Sequence, residues 1–214
     1  MFYAIIYKVE NNHKIRFETM FFNERAEKLD EVLIQEMKPP KWTTKDMTKM
    51  ALCVAILCVT SFLVVPLPFT PIVISLHTIA VNIVGLILGP VQAGVTILVY
   101  LLMGLVGLPV FSAGTAGPGK LFGPTGGFYF GFLFAVVAIS LLRGKKISMK
   151  RYMVVSIVVG IPIQHICAIW GMCMHNGGNI AAAFVMVSLP FIIGDIVKCV
   201  LSSMVGVSLN KIIV

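Results

Sequence analysis

Hydrophobic positions are distributed unevenly along this chain of 214 residues. Up to residue 46 they are interspersed with charges of both signs; from residue 47 onward they form long, almost unbroken runs. A helix advances about 1.5 Å per residue, so about 20 apolar residues cross the roughly 30 Å hydrocarbon layer of a membrane. Six runs approach that length: Met47–Val65, Ile72–Leu88, Val91–Leu108, Gly126–Leu142, Tyr152–Met174 and Ile180–Leu209. The pattern therefore predicts an all-α integral membrane protein with six transmembrane helices. The second run is short and carries His77 and Asn82. The fifth has a kink expected at Pro162. The sixth is long and contains Pro190. Pro66–Pro71 and Gly89–Pro90 read as tight turns between helices.

Composition reinforces this reading. Hydrophobic residues make up 58% of the chain and charged residues 12%, about half the charged share of an ordinary soluble domain. A soluble globular enzyme, a disordered chain and a disulfide-rich secreted domain are excluded. The net charge is +8, yet residues 1–46 are neutral, with eight acids and eight bases, and residues 47–214 hold nine bases and one acid, Asp195. Nucleic-acid binders cluster bases on a wet face with aromatics between them. Here the bases lie between apolar runs, so nucleic acid is not a partner and membrane lipid is. Lys38, Lys41, Lys45 and Lys49 flank the first run, Arg143, Lys145, Lys146, Lys150 and Arg151 fill the loop after the fourth, and Lys211 follows the sixth. Basic loops stay in the cytoplasm, which puts both termini of a multi-pass cell-membrane protein inside. The outer loops are then Pro66–Pro71, Pro109–Phe122 and His175–Asn179, with the single charge Lys120.

Residues 1–46 read as a separate polar extension, either a cytoplasmic tail or an over-long start with Met37 as the true one. Glu24–Met37 fits a short amphipathic helix closed by Pro39–Pro40. Phe2–Tyr7 is too short for the apolar core of a signal peptide. Residues 47–214 form the membrane domain. Cys53, Cys58, Cys167, Cys173 and Cys199 make no CxxC pair and read as small buried hydrophobes.

Chemistry concentrates in few places. Val110–Phe128 holds six glycines and two prolines in 19 residues. Irregular backbone at membrane depth is tolerated only where it packs in protein or lines a cavity, so this stretch reads as a substrate-binding loop. Within it, Gly114 to Lys120 matches the start of a phosphate-binding loop, but Leu121 stands where Ser or Thr must hold magnesium; no nucleotide binds there. Asp195 and Lys198 share a helical face, and an ionised residue in a membrane is a candidate functional site. His77 is read either as an interhelical hydrogen-bonder or as a ligand group; Gln164 and His165 read more simply as interhelical hydrogen-bonders. No two histidines share a face within one helix, so no metal site is expected. Ala51 and Ala55 form a small-xxx-small pair that lets another helix approach closely.

In these residues the chain resembles the BioY family, the biotin-specific substrate-binding (S) components of energy-coupling factor (ECF) transporters. The matching pieces are Pro66–Phe69 leading to Pro71–Thr78, Gly85–Pro90, Tyr100–Phe111, the glycine loop, Gly123–Phe128, and Leu189–Lys198. Leu-Pro-Val-Phe together with Gly-Pro-Thr-Gly-Gly makes the resemblance specific. It covers about residues 47–205 and leaves 1–46 largely outside. His77 departs from a common Gln, and Ile193 from a frequent Pro.

The resemblance implies the six-helix S-component fold and a high-affinity subunit that captures biotin from outside. It delivers biotin with a transmembrane coupling subunit and two cytoplasmic ATPases. ATP is held only by those partners, and the chain itself needs no cofactor. The residues implied for the ligand are Asp195, Lys198, Thr115, His77, Phe128, Tyr129, Gly114 and Lys120. Ala51 and Ala55 match the small pair offered to the coupling subunit. The alternatives are an S component for another vitamin, motivated by His77, and a small membrane enzyme pairing Asp195 with a histidine. The chain shows no second membrane carboxylate and no nucleophile–base motif, so it is not read as an enzyme.

Overall fold

A computed structural model describes residues 42–65, 74–144 and 146–213. The Glu24–Met37 helix, the Pro66–Pro71 turn and nearly all of the 1–46 extension lie outside the described residues. Thr44–Val214 form one compact unit. Its helices are α1 (Thr44–Thr60), α2 (His77–Ile87), α3 (Pro90–Val106), α4 (Pro118–Leu121), α5 (Gly126–Leu142), α6 (Met149–His175), α7 (Ile180–Val187) and α8 (Ile192–Ile213). Two-residue strands, β1 (Val64–Val65) and β2 (Ile74–Ser75), pair antiparallel with Val64 opposite Ser75.

The sequence segments and these helices coincide in outline and differ in two places. The second segment yields only the 11-residue α2, about 16 Å at 1.5 Å per residue, which is half a membrane. His77, Ala80, Val81, Asn82, Val84, Gly85 and Leu86 are all buried, so α2 is a central half-helix packed against α5 and α8. The sixth segment is not one helix. It breaks at Ser188–Phe191, because Pro190 has no N–H and disfavours helical geometry at Leu189. The backbone is recovered by tight turns: Phe191 N and Ile192 N both donate to Ser188 O, at 3.0 and 3.2 Å. In α6, Pro162 is preceded by a π turn, Ser156–Gly160, which rephases the helix ahead of the residue that cannot donate to Val158.

The last helix, α8, is inside-out relative to a helix of a soluble bundle. Along α8 the buried positions are Asp195, Lys198, Cys199, Ser202, Ser203, Gly206 and Asn210, at helical three- and four-residue steps. The opposite face exposes Ile193, Val197, Leu201, Met204 and Ile212. Such a helix is stable where the surroundings are lipid and polar groups find partners inside. By length and hydropathy, α6 (27 residues) and the first 21 residues of α8 suffice to cross a membrane; α3 and α5 are shorter apolar helices.

Close helix approach fixes the centre. A Cβ on Gly127 would stand 2.1 Å from the Cys167 carbonyl, and one on Gly171 2.8 Å from Gly127 N. The α5 and α6 backbones thus touch through hydrogen atoms alone. On α3, Gly104 accommodates the Phe111 ring, which a Cβ would meet at 2.1 Å. That ring folds the chain after α3 back over the helix, and Gly117 N donates to Gly104 O at 2.8 Å.

Candidate functional site

Four segments converge at one end of the unit: β2 with the start of α2, the Ser112–Lys120 loop, the start of α5, and the start of α8. Between them lies a cavity of about 140 Å³. The loop is held by short-range bonds. Thr115 Oγ1 donates to Ser112 O at 2.9 Å, and Phe111 N donates to Thr115 O at 2.9 Å. Ala113 N donates to Ser61 O at 3.0 Å, which ties the loop to the end of α1. Gly114 sits at φ +68°, and a Cβ there would press on Phe62 at 2.9 Å. Its role is conformational.

The polar side of the cavity is one linked cluster. Lys198 Nζ donates to Asp195 Oδ1 at 2.9 Å. His165 Nε2 lies 3.0 Å from Asp195 Oδ2, and its Nδ1 lies 2.9 Å from Ser188 Oγ. All four residues are buried. Asp195 stands in the first turn of α8, where the helix dipole also favours a carboxylate. A buried ion pair requires compensation on both charges; Lys198, His165 and the helix end supply it for Asp195.

Four aromatic side chains, Phe128, Tyr129, Phe132 and Phe191, also line the cavity. Behind them five rings close a circle: His77–Tyr100 at 5.0 Å, Tyr100–Phe111 at 5.9 Å, Phe111–Tyr129 at 4.6 Å, Tyr129–Phe132 at 5.8 Å and Phe132–His77 at 5.4 Å. Tyr129 OH accepts from Ser112 N at 3.1 Å and Tyr100 OH donates to Val110 O at 2.8 Å. The circle anchors the loop to the helices.

Of the residues expected at a ligand site, Asp195, Lys198, Thr115, Phe128, Tyr129 and Lys120 line the cavity; His77 and Gly114 do not. His77 is a member of the aromatic circle, 1% exposed, with Nδ1 3.4 Å from Thr60 Oγ1. Ala51 and Ala55 are exposed on α1, away from the face buried through Met50, Cys53 and Leu57. Gln164 donates to Asn82 Oδ1 at 3.4 Å, an interhelical bond. Sequence reasoning missed Ser75, Thr78, Ser112, Thr125, Phe132 and Phe191, which also line the cavity. Helical spacing carried a signal for two of them: Phe191 is four residues before Asp195, and Phe132 four after Phe128.

A family model described as the BioY family matches residues 34–214. The chain is 34% identical over 166 residues to the biotin transporter BioY2 of Lactococcus lactis subsp. cremoris, spanning 77% of this chain and 90% of that protein. It is 32% identical to a probable biotin transporter BioY of Bacillus subtilis, spanning 78% and 90%. In three dimensions it matches the S-component for biotin from an ECF-type ABC transporter, with TM-score 0.72, 23% identity, and 79% and 95% of the two chains covered. It also matches FolT bound with folic acid, with TM-score 0.55, 21% identity, and 79% and 94% covered. At these identities the two structures establish a common fold.

Proposed function

The chain belongs to the BioY family of membrane proteins, and from that premise we propose that it is the biotin-binding S component of an ECF-type vitamin uptake transporter. Relatives that carry the name biotin transporter support the substrate. The observation that carries the reading to this chain is the cavity itself, whose lining joins one carboxylate and two ammonium groups to aromatic rings and hydroxyl side chains.

Biotin has a neutral ureido ring, an apolar thioether ring and an ionised tail. Burying the rings against Phe128, Phe132 and Phe191 supplies affinity, and a few placed polar groups supply orientation. Asp195 accepts a ureido N–H or orients a group that does. Lys198 neutralises it. Lys120 takes the tail carboxylate, and Thr115, whose hydroxyl proton is held by Ser112 O, offers the ligand an acceptor. Formal charges on Asp195, Lys198 and Lys120 sum to +1, which the tail cancels. His77 and Gly114 act behind the wall rather than on the ligand.

The cavity end faces outside, and the Arg143–Arg151 loop and both termini face the cytoplasm, following the charge asymmetry. Ala51 and Ala55 form the exposed small-residue strip against which the transmembrane coupling subunit packs. Two cytoplasmic ATPases energise the complex, and this chain performs no catalysis. Residues 1–36 of the polar extension are dispensable. The fold is shared with a protein that binds folic acid, so a different vitamin is the second reading, and the named relatives favour biotin over it.

Labelled biotin titrated onto the purified full chain tests the proposal. Saturable binding in the nanomolar to micromolar range is expected. Its absence, or tighter binding of another vitamin, overturns the assignment.

A further inference from the structure

We infer that His165, held by Ser188, is the positioning residue that fixes the Asp195 carboxylate toward the cavity. The identity of the ligand rests on the biotin reading above; the geometry of the relay does not.

The carboxylate is held from two helices. Lys198 sits on α8 with Asp195 and holds Oδ1; a single contact from the same helix leaves the carboxylate free to swing about it. His165 reaches from α6 and holds Oδ2 at 3.0 Å. Each carboxylate oxygen accepts about two hydrogen bonds, so each keeps one acceptor site, and Asp195 lines the cavity. His165 does not. It lies behind the wall, with the Phe128 ring edge-on to it at 6.1 Å. Its reach to a ligand is therefore through Asp195.

Asp195 decides which imidazole nitrogen faces it as an N–H: a carboxylate only accepts, so Nε2 donates to Oδ2. The Ser188 hydroxyl can donate or accept and so holds Nδ1 in either role, and each of the three groups has a partner. The opposite tautomer would turn the Nε2 lone pair onto the carboxylate. Ser188 holds this place because Pro190 breaks the helix there. The same break places Phe191 on the cavity wall and Asp195 one turn later. The serine–histidine–aspartate order has the connectivity of a hydrolase triad, but Ser188 is 1% exposed and not part of the cavity lining. The chain of bonds orients an acceptor and has no access to a substrate carbonyl.

The test combines affinity with a signal that needs no ligand. Biotin affinity is measured on the full chain and on His165→Phe, His165→Gln and Ser188→Ala, with His165→Phe repeated in an Asp195→Asn background; thermal unfolding is followed for each. His165→Phe is expected to bind about 10-fold or more weaker, and His165→Gln, whose amide can still donate to Asp195, within about 3-fold of the parent. In the Asp195→Asn background the His165→Phe change is expected to add less than about 2-fold, since the two act as one unit. Separately, ¹⁵N resonances of the imidazole, assigned by their loss in His165→Gln, are expected to show Nε2 carrying a proton in the parent and in Ser188→Ala, and a mixture of tautomers in Asp195→Ala. Parent-like binding by His165→Phe, equal losses in Gln and Phe, multiplicative losses in the double variant, or an Nε2 without its proton in the parent would each overturn the inference. A parent chain that binds no biotin removes the assigned vitamin, and the tautomer signal still decides the relay.

Discussion

The two ends of the membrane unit handle buried polar groups in opposite ways. At the cavity end, Asp195, Lys198, His165 and Ser188 bond to one another, and two of them border open space. At the other end, polar side chains finish a backbone. The carbonyl of Leu86 should receive the N–H four residues on, but that residue is Pro90, which has none. Asn210 Nδ2 donates to it at 2.9 Å and the Arg143 guanidinium donates to it as well. Asn210 also donates to Tyr152 OH at 3.1 Å, and Ser140 Oγ donates to Leu88 O at 2.6 Å. A buried polar residue in an apolar chain thus has two distinct explanations. Where it aims at a carbonyl that a helix end leaves open, it completes the fold. Where it aims at a cavity, it is available to a ligand.

Exchanging residues at each end breaks or sharpens this contrast. The largest expected effect is on binding at the cavity end: Asp195→Asn keeps the shape and removes the charge, and biotin affinity is expected to fall about 100-fold, near 2.7 kcal/mol. Calorimetry on protein that remains folded measures it; unchanged affinity would make Asp195 as structural as Asn210. The next effect is on stability at the other end. Asn210→Leu removes a donor to Leu86 and leaves Tyr152 OH short of a partner, so unfolding in detergent is expected to become easier by about 1–3 kcal/mol. Biotin affinity should stay within about 2-fold of the parent. A larger loss of affinity than of stability would show that the two ends are coupled.

Much of this contrast was legible in the sequence, and the parts that were not have physical reasons. Hydropathy located the helices because lipid demands long apolar runs, and the lone membrane acid, singled out by its isolation, lines the cavity. The break at Ser188–Phe191 was not evident, since a proline inside an apolar run predicts a kink as readily as an interruption; only the turn made by Phe191 and Ile192 on the Ser188 carbonyl distinguishes them. His77 looked like a ligand group because its position along α2 is level with the cavity, but position along a helix does not give rotation about it, and the imidazole turned into the aromatic circle. Val110–Phe128 read as one substrate-binding loop, and Gly127 within it instead serves the contact with α6. The polar stripe Cys199, Ser202, Ser203 and Asn210 was readable at helical spacing beyond Asp195 and Lys198, and it marks the inward face of α8 through its full length.

The smallest expected effect separates the two lysines of the cavity end. Lys198 is buried and its ammonium is committed to Asp195. Lys120 lines the same cavity, is half-buried on the loop, and has no side-chain partner among the described residues. Its interaction with an ionised tail is therefore partly screened by water and salt, and is worth about 1 kcal/mol or less. Lys120→Gln is expected to weaken biotin binding about 3- to 5-fold at low salt, and less at high salt. Biotin methyl ester, which lacks the charge, should bind the parent and the variant alike. If the ester loses as much affinity as the acid, Lys120 is shaping the loop and the tail is held by backbone N–H groups. If only the acid loses, and the loss fades with salt, the cavity end contains one fixed cation that supports the acceptor and one mobile cation that meets the ligand.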